Sequence, residues 1–367
     1  MQQKDLISLF RKSQGINKLI ELIQNKNSKS LNLKGLIGSA QALSIATVFD
    51  DTGQQQHLVV LPDKEQAAYF YNDLENLFHE EETDHNKKKV LFYPTTYKRP
   101  YEPEKLDAAY QLSRTEVLNR FLEGKRKTIV VTYPESLAEK VITKRYLSKN
   151  IMKLKKGEEV SLDFISDLLT EFNFEVVDFV AEPGQFAIRG GIVDVFSYSN
   201  EHPYRLEFFG DEVESIRTFD PTTQLSLKAI NNISLLRNVQ DRTILEKRVS
   251  FLDYIPKETF LWFDNIELCV DKMTEEFERA CEIFSNLSDS ESRLKPEDLF
   301  LDGATLIEQM QEFVKLEFGI GNFYKKSEII DFNQLPQPAF NNKFDLLIND
   351  LSLKTADNYD NFILTDN

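Results

Sequence analysis

The chain has 367 residues, of which 44 are basic and 60 are acidic, so its formal net charge at pH 7 is −16 and its sequence pI is near 4.9. Such a surface repels phosphate backbones, which argues against a dedicated nucleic-acid binder but leaves room for a locally basic groove. Two cysteines and four scattered histidines give no metal cluster or disulfide framework.

The length predicts two or three domains rather than one hydrophobic core. No apolar run is long enough to span a membrane, and the first residues lack the apolar core of a signal peptide. We therefore expect a cytoplasmic protein. An acidic cluster at residues 80–84, followed by lysines at 87–89, is typical of a solvated loop.

The first 150 residues alternate strand patterns with helix patterns. Apolar runs predict strands at residues 31–37, 57–62, 90–93 and 128–132. Runs of this kind are typical of strands that are covered on both faces, and the alternation predicts a parallel, doubly wound sheet. Asp63 is expected to cap the helix after the second strand, with Gln66 at the reciprocal capping position.

The turn at Gly38 stands where such a fold would hold phosphates, between a strand and a helix. A working P-loop needs a lysine for the outer phosphates and a neighbouring Ser or Thr hydroxyl for magnesium. Gln41 and Ala42 occupy those two places. Glutamine supplies no positive charge and alanine no oxygen, so we do not expect ATP hydrolysis at this site.

The segment between the third strand and the next helix, residues 94–103, reads PTTYKRPYEP. Its Lys98, Arg99 and Tyr101 have the chemistry to contact a phosphate and stack on a base. A proline-bounded surface loop is the simpler interpretation.

A basic, mixed stretch at residues 147–156 indicates entry into a second domain, in which Ser161 is expected to cap a helix. Residues 151–237 contain 8 basic and 15 acidic side chains. An acidic domain with a small arginine patch is better suited to a protein partner than to DNA.

The strongest strand pattern in the chain lies at residues 186–217. The two-residue period of a strand predicts a core face and an opposite face, made respectively of Tyr204, Leu206 and Phe208 and of Arg205, Glu207 and Phe209. Gly210-Asp211 fits a tight hairpin turn, and Gly190-Gly191 after Arg189 predicts a bulge or a close backbone approach.

If these strands are neighbours, Arg189 and Arg205 flank Phe209 on one surface. Arginine beside an exposed aromatic side chain is the composition of an interface hot spot. The alternative is an ordinary meander, in which the arginines face water and Phe209 packs beneath a loop. Alternation alone does not separate the two.

Residues 238–334 have a mainly helical pattern, in which Cys269 and Cys281 lie on one apolar stripe. The run FLWFDN at residues 260–265 resembles a Walker B strand, but Asn265 holds the second acidic position. For Asp264 we expect a structural role, as the cap of a helix that begins near Ile266. Residues 361–365, NFILT, predict one more buried strand.

Several motifs together resemble bacterial transcription-repair coupling factors (Mfd) and, more distantly, the helicase UvrB. They are RGGIVDVF at 189–196, RLEFFGDE at 205–212, SIR at 215–217, FDP at 219–221 and the run LPQPAFNNKFDLL at 335–347. The resemblance implies an α/β N-terminal UvrB-homology module with three parts. They are a degenerate P-loop (RecA/helicase-like) parallel-sheet domain of residues 1–150 plus 335–367, an inserted antiparallel α+β UvrA-binding domain of residues 151–237, and a mainly helical domain of residues 238–334.

In that family the inserted domain docks the damage-sensing ATPase UvrA through two arginines and a phenylalanine, which map onto Arg189, Arg205 and Phe209. The resemblance thus implies a non-enzymatic module, without a cofactor, that recruits UvrA to lesions where transcription has stalled. ATP and magnesium would belong to translocase domains beyond this chain, and RNA polymerase would bind only through further domains. We expect weak or no DNA contact, and the resemblance allows an autoinhibited state in which another domain covers the docking surface.

Two other functions remain open. One is an active ATP-dependent unwinding enzyme of the UvrB type, although UvrB needs the lysine that Gln41 replaces and a long aromatic hairpin where residues 94–103 are short. The other is a generic α/β scaffold whose arginine face binds nothing. We also expect the chain to be one part of a longer protein.

Overall fold

The computed structural model describes most of the chain. The described residues are 3–25, 29–53, 55–79, 88–101, 108–124, 126–198, 200–237, 247–287, 293–336, 338–341 and 343–361. The predicted strand at 361–365 and the acidic cluster at 80–84 fall outside these ranges, apart from residue 361.

A seven-stranded, wholly parallel sheet forms the larger part of the molecule. In chain order its strands are β1 (Ser30–Lys34), β2 (His57–Val60), β3 (Val90–Phe92), β4 (Ile129–Thr132), β15 (Phe260–Phe263), β16 (Val314–Glu317) and β17 (Glu328–Asp331). Their order in space is β17-β1-β16-β15-β2-β4-β3. The predicted parallel α/β sheet is therefore confirmed.

Helices cover both faces of this sheet. They are α1 (Gln3–Phe10), α2 (Gln14–Asn25), α3 (Ala40–Asp51), α4 (Lys64–Phe78), α5 (Ala108–Glu123), α6 (Pro134–Ala138), α7 (Lys144–Lys149), α9 (Phe251–Tyr254), α10 (Ile266–Ser285), α11 (Pro296–Leu299) and α12 (Gly303–Met310). Successive side chains of β2 point to opposite faces of the sheet. Leu58 packs in one hydrophobic core with α5 and α10, and Val59 packs in a second core with α3 and α4. The two cores explain why these strands are apolar on both faces.

The N-cap predicted for α4 is present, since the backbone N–H of Gln66 donates to Asp63 Oδ1 at 2.9 Å. The Gln66 side chain, however, donates its amide N–H to Asp63 Oδ2 at 2.6 Å, whereas in a capping box it would accept the backbone N–H of Asp63. Ser161 likewise caps α8 (Leu162–Glu171) by accepting the N–H of Phe164 at 3.2 Å. Both motifs are local in sequence, which is why they can be read without the fold.

A second sheet of six strands lies between residues 175 and 230. Its strands are β7 (Glu175–Val176), β8 (Gln185–Arg189), β9 (Ile192–Val195), β10 (Tyr204–Phe209), β11 (Glu212–Phe219) and β12 (Ser226–Ile230), and they pair in the order β12-β11-β10-β9-β8-β7. Four of the five pairings are antiparallel. Helix α8 covers the core face through Ile165 and Leu169. The predicted antiparallel sheet with a helix against it is confirmed.

Two short pairings and a final helix complete the described structure. Strand β6 (Ile151–Lys155) pairs with β13 (Asn232–Leu236), and β5 (Val141–Ile142) pairs with β14 (Arg248–Val249). Helix α13 (Phe344–Ala356) has no buried residue. Within the described ranges, no helix is both long and apolar enough to cross a membrane.

Residues 238–334 do not form the separate, mainly helical unit that their pattern suggests. They contribute helices α9 to α12, but also β15, β16 and β17 of the parallel sheet. The sequence analysis identified β15 as a Walker B-like strand, whereas the short strands β16 and β17, VKLE and EIID, mix charged with apolar residues and leave a weak signal. Assigning residues 238–334 to a domain apart from residues 1–150 would therefore divide one continuous sheet.

Candidate protein-docking surface

The strand register brings the two sequence-predicted arginines to one carboxylate. Arg205 on β10 lies directly opposite Asp194 on β9, and Asp194 lies opposite Ala187 on β8. Arg189 follows two residues after Ala187 and so shares the same face of the sheet. Strands β8 and β10 are thus not neighbours, because β9 lies between them and inserts Asp194 between the arginines.

Both guanidinium groups bind the carboxylate of Asp194, which is fully buried. Arg205 donates from Nε to Oδ1 at 2.7 Å and from Nη2 to Oδ2 at 2.9 Å, and Arg189 donates from Nη2 to Oδ2 at 2.5 Å. Such charge-assisted, bidentate contacts fix orientation as well as adding energy. The three side chains together carry a net charge of +1.

Arg205 is the more enclosed of the two arginines, with 19% of its side chain exposed. Its guanidinium carbon lies 4.5 Å from the centre of the Phe219 ring, and Nη1 donates to the carbonyl of Gln224 at 3.3 Å. Hydrogen bonding to Asp194 raises the pKa of Arg205 above its ordinary value. This side chain is held in one place and charged at any physiological pH.

Arg189 is the more accessible partner, with 43% of its side chain exposed. Nη1 donates to the carbonyl of Asp178 at 3.2 Å, and the guanidinium lies 5.3 Å from the centre of the Phe179 ring. Phe179 is itself 64% exposed. The sequence analysis did not identify Phe179. The visible signal was an aromatic residue directly after Asp178, within the segment EVVDFVAEP.

Phe209 ends β10 as one of the most exposed large apolar side chains described, at 79% exposure. The β10–β11 hairpin turns at Gly210, whose φ of +61° suits glycine, as the sequence predicted. Phe209 is the fourth residue after Arg205 along the strand, which places their Cα atoms about 13 Å apart. The arginines therefore flank Asp194 rather than Phe209, and the phenylalanine stands at the end of the face.

Gly191 shows why the turn between β8 and β9 needs glycine. Its carbonyl accepts the N–H of Phe208 at 2.7 Å, and a side chain at Gly191 would meet the carbonyl oxygen of Phe208 at 2.9 Å. This is the close backbone approach that the sequence predicted. It holds the end of β10, and so Phe209, against the turn that follows Arg189.

At the position predicted to be a degenerate nucleotide site, the structure has a turn from a strand into a helix. Gly38 has φ of +55°, and α3 begins two residues later. The Gln41 side-chain amide donates to the carbonyl of Leu36 at 3.4 Å, and Ala42 is buried in the core beneath α3. Gln41 supplies no positive charge at this turn, and the Ala42 side chain supplies no oxygen.

At the Walker B-like position the structure corrects the expected role of Asp264. The cap of α10 is Asn265, whose side chain accepts the N–H of Leu268 at 2.9 Å. Asp264 instead lies near the buried Glu317 at the end of the adjacent strand β16; burial, with a smaller effect of Glu317, raises the pKa of Asp264. Asp264 is the connecting residue between β15, which ends at Phe263, and the cap. The cap of α10 therefore falls one residue later than expected.

Glu317 was not identified from the sequence. Its carboxylate accepts the N–H of Ile266 at 3.1 Å and that of Phe323 at 2.8 Å, so it ties α10 to the loop after β16. A buried carboxylate with two backbone donors is a structural element in this fold. Across the ranges that the structure covers, no group of three or more His, Cys, Asp or Glu side chains is placed to hold a metal.

The segment at residues 94–101 is not an exposed loop throughout. Tyr101 is buried, donates to the carbonyl of Leu294 at 2.8 Å, and packs near Phe284 and Phe300. The suggestion that Tyr101 stacks on a base is therefore wrong, while Lys98 and Arg99 are exposed as expected. The partners of Tyr101 lie about 190 residues away in sequence, which is why its burial was missed.

Comparison with known proteins supports the family resemblance that the sequence motifs indicated. Residues 152–239 match the family described as the UvrB interaction domain. The chain is 29% identical over 228 residues to the transcription-repair-coupling factor of Haemophilus influenzae, covering 62% of this chain and 19% of that protein. It is 28% identical to the Bacillus subtilis protein of the same name, over 55% of this chain and 16% of that protein.

UvrABC system protein B of Thermosipho africanus is 26% identical over 283 residues, which cover 74% of this chain and 39% of that protein. The chain thus spans less than a fifth of the coupling factors and about two fifths of this UvrB. The resemblance predicted from the motifs is confirmed. The chain is similar to a UvrB-like region of transcription-repair coupling factors, and residues 152–239 match the UvrB interaction domain.

Proposed function

We propose that this chain is a recruitment module that binds the excision-repair protein UvrA and carries out no chemistry of its own. The observation that carries the proposal is one face of the sheet on β8, β9 and β10, which presents two arginines held by Asp194 and, further along β10, the exposed Phe209. Arginine and aromatic side chains are the residues that most often dominate protein interfaces. The match of residues 152–239 to the UvrB interaction domain supports UvrA as the partner.

Within this proposal the arginines pair with acidic side chains of UvrA, and Phe209 fills an apolar pocket. The biological result is delivery of the excision machinery to a lesion at which transcription has stalled. The acidic surroundings of the domain keep phosphate backbones away, so specificity comes from the small arginine surface.

A titration of the chain against UvrA tests the proposal. We expect saturable binding, and we expect Arg189→Gln to weaken it roughly tenfold or more, since a charge-assisted hydrogen bond contributes about 1.5–3 kcal/mol. Neutralising Arg189 is a better test than reversing the charge of Arg205. A carboxylate in place of Arg205 would lie against the buried carboxylate of Asp194.

Lys228→Gln is the matched control for Arg189→Gln, because it removes the same charge from β12 at the opposite edge of the same sheet. It should change affinity by less than about twofold. Equal losses in the two variants would indicate general charge attraction and remove Arg189 as a specific contact. An absence of any binding by the unmodified chain would refute the recruitment function.

The rival function, ATP-dependent DNA unwinding, requires nucleotide binding. We expect no saturable heat of binding when Mg·ATP is titrated into the chain at millimolar concentration, because Gln41 and Ala42 supply neither the phosphate-binding cation nor the metal ligand. UvrB titrated under the same conditions provides the positive control. Tight, magnesium-dependent ATP binding by this chain would favour the enzyme over the recruitment module.

A further inference from the structure

Asp194 has more positive charge around it than its burial requires. Its carboxylate is fully enclosed and accepts three donors from two arginines, at 2.5, 2.7 and 2.9 Å. A buried carboxylate needs compensation by a counter-charge, and Arg205 alone supplies a bidentate partner. Arg189 therefore adds a second, half-exposed cation to a site that is already neutral.

We infer that Asp194 is a positioning residue for docking. It holds the two guanidinium groups on one face of the sheet, in the orientation in which the partner's carboxylates meet them. The inference rests on the proposed binding of UvrA. In this arrangement Asp194 does not touch the partner. It acts through Arg189 and Arg205, which keep further N–H donors beyond those bonded to Asp194.

The reason is the cost of ordering long side chains. An unrestrained arginine samples many rotamers, and an interface must immobilise it before its hydrogen bonds form. Here the Asp194 carboxylate, the carbonyls of Asp178 and Gln224, and the rings of Phe179 and Phe219 already restrain the pair in the free protein. Preorganisation of this kind raises affinity mainly by slowing dissociation.

The isosteric substitution Asp194→Asn separates positioning from charge, because the two effects have opposite signs. The change raises the net charge of the cluster from +1 to +2, which by Coulomb attraction alone would speed association with an acidic partner and tighten binding. An asparagine amide, however, presents N–H donors to one of the guanidiniums and releases it. We expect affinity for UvrA to fall roughly tenfold, mostly through faster dissociation.

Glu182→Gln is the charge-matched control. Glu182 is an exposed residue on the segment that follows Phe179. The described hydrogen bonds of Arg189 and Arg205 go to the Asp194 carboxylate and to the carbonyls of Asp178 and Gln224. This control should leave dissociation unchanged and affinity within about twofold. Unchanged or tighter binding by Asp194→Asn, or an equal loss in Glu182→Gln, would overturn the inference.

A measurement on the free chain keeps this inference distinct from the docking proposal. We expect the Nε–H signals of Arg189 and Arg205, assigned by loss in Arg189→Gln and Arg205→Gln, to have nitrogen relaxation typical of ordered groups. In Asp194→Asn at least one should become mobile, while Arg217, whose partner is Glu207, stays ordered. Mobile arginines in the unmodified chain would overturn the inference, whereas ordered arginines without UvrA binding would overturn the proposed function alone.

Discussion

Replacement of Phe209 by alanine is expected to weaken binding of UvrA by about 2 kcal/mol, or roughly 30-fold, without changing the thermal stability of the chain. Phe209 is 79% exposed, so its ring contributes little to the core of the domain. Its contribution arises only when a partner encloses it, since burial of an aromatic side chain removes a large apolar area from water. Surface plasmon resonance against immobilised UvrA, with a melting curve for each variant, measures both quantities.

Phe164 provides the control for this experiment. It has the same side chain and is 52% exposed, but it lies on α8, which packs on the opposite face of the same sheet. Phe164→Ala should therefore leave the affinity within about twofold. Full affinity in Phe209→Ala would remove Phe209 from the docking surface, and equal losses in both variants would indicate a non-specific hydrophobic contribution.

The face of the sheet on which Phe209 lies was predictable from the sequence because it depends on a local pattern, although alternation alone did not decide whether Phe209 is exposed. Alternation along β10 assigned Leu206 to the core and Phe209 to the opposite face, and the glycine turns fixed where the strands end. The same holds for the capping pair Asp63 and Gln66. These features require only the geometry of a strand or of one helical turn.

The role of Asp194 was not predictable in the same way. The motif contained the residue, but the contact with both arginines exists only because β9 pairs with β8 on one side and β10 on the other. Pairing of that kind is a property of the assembled sheet. Tyr101 was misassigned for a related reason, because its hydrogen-bond acceptor Leu294 is distant in the chain.

The loop around Pro94, between β3 and α5, depends on a single buried cation, Arg114, which is completely enclosed. Nη1 donates to the carbonyl of Pro94 at 2.9 Å, Nη2 donates to the carbonyl of Glu139 at 2.9 Å, and the guanidinium lies 4.2 Å from the centre of the Tyr93 ring. The Glu139 carboxylate, 3.5 Å from Nη1, also accepts the N–H of Thr96 at 3.0 Å. Arg114 and Glu139 thus join the loop to the segment after α6.

Arg114→Ala is therefore expected to lower the free energy of unfolding by about 3–5 kcal/mol, the range found when one partner of a buried ion pair is removed. The loss arises because the buried Glu139 carboxylate loses its counter-charge and the carbonyls of Pro94 and Glu139 lose the donors that Arg114 supplies. Urea unfolding followed by tryptophan fluorescence is a specific measurement, since the single tryptophan, Trp262, is fully buried in β15 of the parallel sheet.

Arg145→Ala, an exposed arginine on α7, should change the same free energy by less than about 0.5 kcal/mol. Glu139→Gln keeps the shape of the side chain but removes its charge, and it should give a smaller loss than Arg114→Ala because Arg114 retains its carbonyl acceptors. A loss below about 1 kcal/mol in Arg114→Ala would mean that water replaces the guanidinium. Since the proposed UvrA-binding face lies on the other sheet, Arg114→Ala protein that is still folded should bind UvrA as the unmodified chain does. Such a result would separate the stability of the parallel-sheet domain from docking.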